Sequence, residues 1–232
     1  MQGKTIVVTG GLGALGSIVA ETAAKRGASV ALLDHAQAVP QGFAERLGAN
    51  TLLVGGVDLT SLTAAETAMA AAKAKFGRVD ALLNIAGGFQ FDTFADGKVD
   101  SWDRMYAMNL KTALNACKAA LPYLLESGAG RIVNVGAGSA LHASSGFGPY
   151  AASKSAVHRL TESLADELKL KGVTVNAVLP SIIDTPLNRR DMPNADFSRW
   201  VAPADLAAVI LFLASDEAKA ITGALIPVSG RV

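Results

Sequence analysis

Short runs of β-branched and apolar residues alternate along this chain with longer stretches in which apolar positions return every three or four residues. The short runs, 5–9, 29–33, 51–54, 79–83, 131–135, 174–178 and 225–228, predict strands. The longer ones, 15–26, 63–76, 102–125, 151–171 and 203–214, predict helices. The strand runs read as near-continuous Val, Ile and Leu, the habit of strands covered on both faces. Strand following helix through the whole chain predicts a doubly wound α/β architecture, a seven-stranded parallel sheet with helices on both faces. Gly27 and Gly77 follow helical runs as stops, and Thr63 with Glu66 fits a capping box. The irregular stretch 184–201 is expected to form a flap.

With 232 residues, half of them apolar and 18% charged, the chain can build one large core. No repeat or linker divides it, so residues 1–232 are expected to form a single domain. A net charge of +1 with dispersed Lys and Arg offers no face for a run of phosphates, which argues against nucleic acid as a partner. The first strand begins at once, without a charged leader and apolar signal core, and apolar runs break well before the roughly 20 residues of a membrane span. A soluble, cytoplasmic protein is expected, with no membrane partner. The single cysteine, Cys117, allows no intramolecular disulfide or Cys-based metal cluster and reads as a small core or interface residue. No metal site is expected.

Where the first strand turns into the first helix the chain runs Thr9-Gly-Gly-Leu-Gly-Ala-Leu-Gly16, and Gly11, Gly13 and Gly16 satisfy the G-x-G-x-x-G spacing. Such a loop lets a pyrophosphate approach the backbone, where free N–H groups and the positive end of the helix dipole receive it. By itself it also fits a tight turn, a flavin site or an S-adenosylmethionine site. Asp34 ends the second strand, where a carboxylate can accept hydrogen bonds from both adenosine-ribose hydroxyls and would repel a 2′-phosphate. No Arg lies in the loop or directly after Asp34, so NAD(H) is expected over NADP(H). Asp58, ahead of Leu59 at the end of the third strand, has two readings: acceptor for an adenine amino group, or helix cap.

Tyr150 and Lys154 lie four residues apart at the opening of a helical run, hence on one face, near the sheet edge where open α/β folds bind ligands. A free phenol has a pKa of about 10, and phenolate near neutrality needs roughly 2 to 3 units of stabilisation, about 3 to 4 kcal/mol. A neighbouring ammonium has the right sign. Tyr150 is the expected proton donor and acceptor, with Lys154 also holding the nicotinamide ribose.

From the glycine loop through Asn84-Ile-Ala-Gly87 and Asn109 to Tyr150 and Lys154, the chain resembles the short-chain dehydrogenase/reductase family over essentially its whole length. The resemblance implies a Rossmann fold with cofactor contacts from Gly10, Gly11, Leu12, Gly13, Leu15, Gly16, Asp34, Asp58 and Leu59. It adds Asn84, Ala86, Gly87, Tyr150 and Lys154, and a nicotinamide segment carrying Pro180, Ile183 and Thr185. It gives Asn109 a carbonyl that holds a relay water beside the lysine, and it implies a homodimer or homotetramer joined through 102–125 and 151–171. Three positions differ from the family: Ile85 replaces an Asn, Ser181 replaces a Gly, and Ala137 stands where the catalytic serine belongs. Two residues along a strand move a hydroxyl by about 6.5 Å, so Ser139 would need a bulge to take over. The segments before Tyr150 and around 179–200 are similar to dihydropteridine reductases, which prefer NADH and also lack the serine. A quinonoid dihydropterin accepts hydride without a serine to polarise a carbonyl. His142, Phe89, Phe91, Phe147, Met192 and Trp200 are candidates to line a pocket for a flat, mostly apolar substrate.

The expected protein is an NAD(P)(H)-dependent oxidoreductase for a small carbonyl, alcohol or pterin-like substrate. The alternatives are a ketone or 3-oxoacyl-thioester reductase using Ser139, and a dinucleotide-binding redox sensor with little turnover.

Overall fold

A computed structural model describes residues 1–232. Its strands are β1 (Thr5–Thr9), β2 (Ser29–Leu33), β3 (Thr51–Val54), β4 (Ala81–Asn84), β5 (Arg131–Val135), β6 (Thr174–Pro180) and β7 (Leu225–Val228). They form one seven-stranded sheet in the order β3-β2-β1-β4-β5-β6-β7, with every pairing parallel. Parallel neighbours cannot be joined by a tight turn, so crossovers connect them. These carry α1 (Ala14–Lys25), α2 (Phe43–Leu47), α3 (Leu62–Phe76), α4 (Asp100–Met105), α5 (Thr112–Glu126), α6 (Gly148–Leu168), α7 (Pro186–Asp191) and α8 (Pro203–Leu213).

Successive strand residues point to opposite faces, and the core divides accordingly. On one face Ile6, Val8, Leu32, Leu83 and Val133 pack with Val19 of α1 and Leu206 and Ile210 of α8. On the other, Val7, Leu33, Leu82, Ile132 and Val175 pack with Met69 of α3, Leu124 of α5 and Leu168 of α6. The expected doubly wound sheet is therefore the fold. No helix is long and apolar enough to cross a membrane.

Several boundaries differ from the sequence expectation for local reasons. β4 starts at Ala81, directly after Asp80, whose carboxylate forms a clasp: it accepts the Thr5 N–H at 2.8 Å and two Arg78 guanidinium bonds at 2.7 and 2.8 Å. α3 is capped by Ser61, whose hydroxyl accepts the Ala64 N–H at 3.3 Å, rather than by Thr63. The run expected as one helix over 102–125 starts at Asp100 and contains a π-helical turn, Tyr106–Lys111, between α4 and α5. The 184–201 excursion closes on itself through a bridge between Ile183 and Val201 and an Asp184–Arg189 ion pair, with the Arg189 guanidinium 4.8 Å over the Phe197 ring.

Candidate active site

The strand order reverses between β1 and β4, and an open sheet of this kind leaves a crevice at the carboxyl ends of the strands on either side of that reversal. β1 delivers the glycine loop to it and β4 delivers Asn84 to Gly88. The glycines of the loop are there for different reasons. Gly10 turns with φ +65°, and a Cβ there would lie 2.9 Å from the Ala86 backbone. A Cβ on Gly11 would lie 2.7 Å from Leu32, and one on Gly16 would strike the Gly10 carbonyl oxygen. Packing within the chain demands these three. Gly13, the N-cap of α1, meets only the Gly10 oxygen at 3.3 Å, and no side chain caps the helix. The first-turn amides, those of Leu15 and Gly16 among them, thus stand uncapped at the positive end of α1 behind an open approach, which fits a dinucleotide pyrophosphate.

Asp34 braces this loop: its Oδ2 accepts the Leu12 N–H and its Oδ1 the Ala36 N–H, both at 2.9 Å. Each carboxylate oxygen keeps a further lone pair for a ribose hydroxyl. Asp58 is exposed, and its Oδ1 accepts the Thr60 hydroxyl at 2.7 Å and the Thr60 N–H at 2.9 Å. Those bonds hold its carboxyl below the usual range. With Ser61 as the cap of α3, the cap reading of Asp58 falls away. Leu59 is buried, and its carbonyl accepts the Asn115 Nδ2 donor at 2.9 Å.

Asn84 is buried at the end of β4, where Nδ2 donates to Asn134 Oδ1 at 2.8 Å and to Cys117 Sγ at 3.2 Å. Asn134 donates in turn to Thr161 Oγ1 at 2.8 Å, so one polar chain ties β4, β5, α5 and α6 together. Burial pushes the Cys117 thiol up to about 12, leaving it an inert core group. The Thr9 hydroxyl oxygen accepts both the Ile85 and Ala86 N–H groups at 3.1 Å. Asn109, in the π-helical turn, clasps Gly88: Oδ1 accepts its N–H at 2.9 Å, and Nδ2 donates to its carbonyl at 3.1 Å and to Ser153 Oγ at 3.0 Å. A Cβ on Gly87 would lie 2.6 Å from Asn109 Oδ1 and 3.2 Å from Lys154 Nζ, so these three positions meet at one point.

α6 places Tyr150 and Lys154 one turn apart beside β5, and Lys154 Nζ donates to the Val135 carbonyl at 2.8 Å. Burial lowers the Lys154 pKa to about 8 and pushes the Tyr150 phenol up to about 12. The lowering of the phenol expected from a neighbouring ammonium is not found, because desolvation dominates both groups and the ammonium is engaged by a carbonyl. The Tyr150 ring meets Phe89 edge-on at 5.0 Å and Phe147 at 6.4 Å; Phe147 in turn meets Phe89 at 5.0 Å and Phe91 at 6.3 Å. Phe89 and Phe91 stay 51% and 61% exposed, an aromatic wall open to a ligand beside the phenol. Trp200 does not belong to it: it is buried 4.7 Å from Phe197 and packs the 184–201 excursion. His142 is exposed and Met192 half-buried.

β5 ends at Val135, and Gly138–Ala140 form a 3-10 turn. Ser139 therefore does not lie further along an extended strand as expected; it is half-buried on a turn. Just past β6, which ends at Pro180, Ile183 makes the bridge to Val201 and the Thr185 hydroxyl caps α7 by accepting the Asn188 N–H at 3.2 Å. The sequence reading does not single out Ser153, Ser155 or His158. The available signal was their spacing on the helix of Lys154, with His158 one turn beyond it.

A family model described as short chain dehydrogenase matches residues 4–196. The chain is 32% identical to a 2,5-dichloro-2,5-cyclohexadiene-1,4-diol dehydrogenase of Sphingobium indicum, covering 99% of this chain and 96% of that protein. It is 34% identical to a meso-2,3-butanediol dehydrogenase of Serratia marcescens, covering 98% and 93% respectively. Among solved structures it is similar to a carveol dehydrogenase of Mycobacterium avium in complex with NAD, at 26% identity and a TM-score of 0.90 over 99% of this chain and 97% of that one.

Proposed function

The chain belongs to the short-chain dehydrogenase family and is an oxidoreductase using a nicotinamide cofactor on a small molecule; from that premise we propose that it prefers NAD(H), that its substrate is a small carbonyl, alcohol or pterin-like compound, and that Tyr150 is the proton donor and acceptor. The observation that carries this reading is the convergence on one crevice of an open glycine loop, the Tyr150–Lys154 pair and an exposed aromatic wall.

When bound, the nicotinamide supplies or takes up a hydride. In reduction the Tyr150 phenol gives its proton to the substrate atom that becomes electron-rich, and a phenol whose pKa sits at about 12 carries that proton at neutral pH. One of the three Lys154 N–H donors goes to Val135, which leaves two for ribose hydroxyls and the phenol oxygen. Asn109 lies in a π-helical turn that interrupts the regular α ladder, which supports its role in holding a relay water. The rings of Phe89 and Phe147 favour a flat substrate, a quinonoid dihydropterin among them. The exposed Trp102, Tyr106 and Leu114 along α4, the π turn and α5 support assembly as a homodimer or homotetramer. The 3-10 turn carrying Ser139 favours a second reading, a ketone or 3-oxoacyl-thioester reductase in which that hydroxyl replaces the missing one.

The test follows NADH oxidation with quinonoid dihydropterin beside a panel of small ketones. Pterin turnover supports the flat-substrate reading, ketone turnover that falls in Ser139→Ala supports the second, and turnover of neither returns the protein to the sensor class. Two further results are expected. Asp34→Ser should lower the NADH over NADPH ratio of kcat/KM by about tenfold or more, since a hydrogen bond to a charged group is worth about 1.5 to 3 kcal/mol; an unchanged ratio counts against Asp34 as the ribose acceptor. Lys154 is cationic below its pKa of about 8 and neutral above it. The kcat/KM for NADH, which reports the free enzyme, should thus be level from neutrality up to that pH and fall about tenfold per pH unit above it. A descending limb centred at the ordinary lysine value of about 10.4 contradicts this.

A further inference from the structure

Three side chains of α6 grip the chain where it leaves β5. Lys154 Nζ donates to the Val135 carbonyl at 2.8 Å, His158 Nε2 accepts the Ala137 N–H at 3.3 Å, and the Ser155 hydroxyl donates to the Ala140 carbonyl at 2.7 Å. His158 is 1% exposed, and a Cβ on Gly136 would collide with its ring, so the backbone passes directly over the imidazole. The helix that carries Tyr150 thereby sets the position of the turn that carries Ser139.

Only a neutral imidazole can hold the middle grip. Nε2 accepts an amide proton while it bears none of its own; once protonated it is a donor facing a donor. Its surroundings keep it neutral: burial first, then the positive charges of Arg159 and Lys154, lower its pKa below the ordinary imidazole value. The chain just past β5 brings Gly136 and Ala137 against it, neither of them titratable, and no carboxylate is among the groups acting on it.

We propose that His158 is a positioning residue for the reaction, its neutral imidazole pinning Ala137 and the Gly138–Ala140 turn against the Tyr150 helix, so that protonation releases the turn and lowers turnover at acid pH. The turnover part rests on the reading of Tyr150 and Lys154 as the reacting pair.

The experiment has two arms. In the first, kcat of the wild-type enzyme falls on the acid side with an apparent pKa below about 6.5, by about fivefold, the worth of one hydrogen bond. His158→Gln keeps an acceptor that cannot titrate, so this limb disappears while kcat near neutrality is retained; the same limb in the variant overturns the proposal. In the second, the backbone amide resonance of Ala137 and the ring protons of His158 are followed by NMR through the same pH range in wild-type protein. They should move together with one pKa, and an Ala137 amide that stays still overturns the proposal even where the variant fails to fold. This arm needs no turnover, so coupled resonances alongside a fully active Tyr150→Phe would overturn the catalytic reading and leave the His158 grip standing.

Discussion

Replacing Tyr150 by phenylalanine should lower kcat by about 10²- to 10⁴-fold, the range a positioned general acid contributes, while NADH affinity in a fluorescence titration stays close to wild type. The substitution removes only the hydroxyl. The ring retains its contacts with Phe89 and Phe147 at 5.0 and 6.4 Å, so the variant should fold and keep its aromatic wall. The loss should be steepest in reduction, where the phenol is the proposed proton source. In oxidation the phenol has to ionise from a pKa of about 12, so the wild-type rate is expected to climb with pH up to about 8, where Lys154 loses its charge. A Tyr150→Phe variant that retains most of its activity would remove this residue from the chemistry and leave the crevice as a binding site.

The second large effect separates two glycines three residues apart. Gly16→Ala puts a methyl group against the backbone carbonyl oxygen of Gly10, where no flexible side chain can yield. Overpacking of this kind costs about 1 to 3 kcal/mol, and the loop that must move is the one proposed to meet the dinucleotide. Thermal unfolding should therefore shift down and NADH binding should be lost together. Gly13→Ala meets only one oxygen at 3.3 Å and has the extended backbone of φ −73° and ψ 170° that alanine adopts readily. Its melting temperature should stay within a few degrees of wild type while NADH binds more weakly, because the methyl group stands in the approach of the pyrophosphate. Equal loss of stability in both variants would mean that Gly13 serves the turn and not a ligand.

Much of this arrangement was legible in the residues themselves. Strands buried on both faces announce themselves as unbroken Val, Ile and Leu, and β1, β2, β3, β5 and β7 have the boundaries the pattern predicts. The glycine loop, Asp34, Tyr150 and Lys154 could be placed because each follows directly on a strand end or a helix start. What stayed hidden depends on contacts made across the sheet. The claim that Thr5 and Arg78 make on the Asp80 carboxylate leaves no trace in a strand pattern. The π-helical turn cannot be seen by a reading that assumes 3.6 residues per turn. The chain direction after Val135 decides whether Ser139 lies near or far, and that direction is set by His158 and Ser155 from another element. The burial that shifts Tyr150 and Lys154 in opposite directions is likewise a property of the assembled fold, and it reverses the sign expected for the phenol.

The clasp of Arg78, Asp80 and Thr5 sits at the amino end of the seam between β1 and β4, and the Thr5 to Asp80 bond spans 75 residues of chain. The crevice opens at the opposite end of the same seam. No contiguous fragment can therefore rehearse the site: a chain emerging amino end first makes its glycine loop long before Tyr150 exists, and must close wide loops before any of these pairings is rewarded. Lys4 and Asp216, paired across 212 residues, complete that closure. The time taken to become competent is thus written into strand order, and a damaged clasp would be felt first as slow or misregistered assembly rather than as altered chemistry.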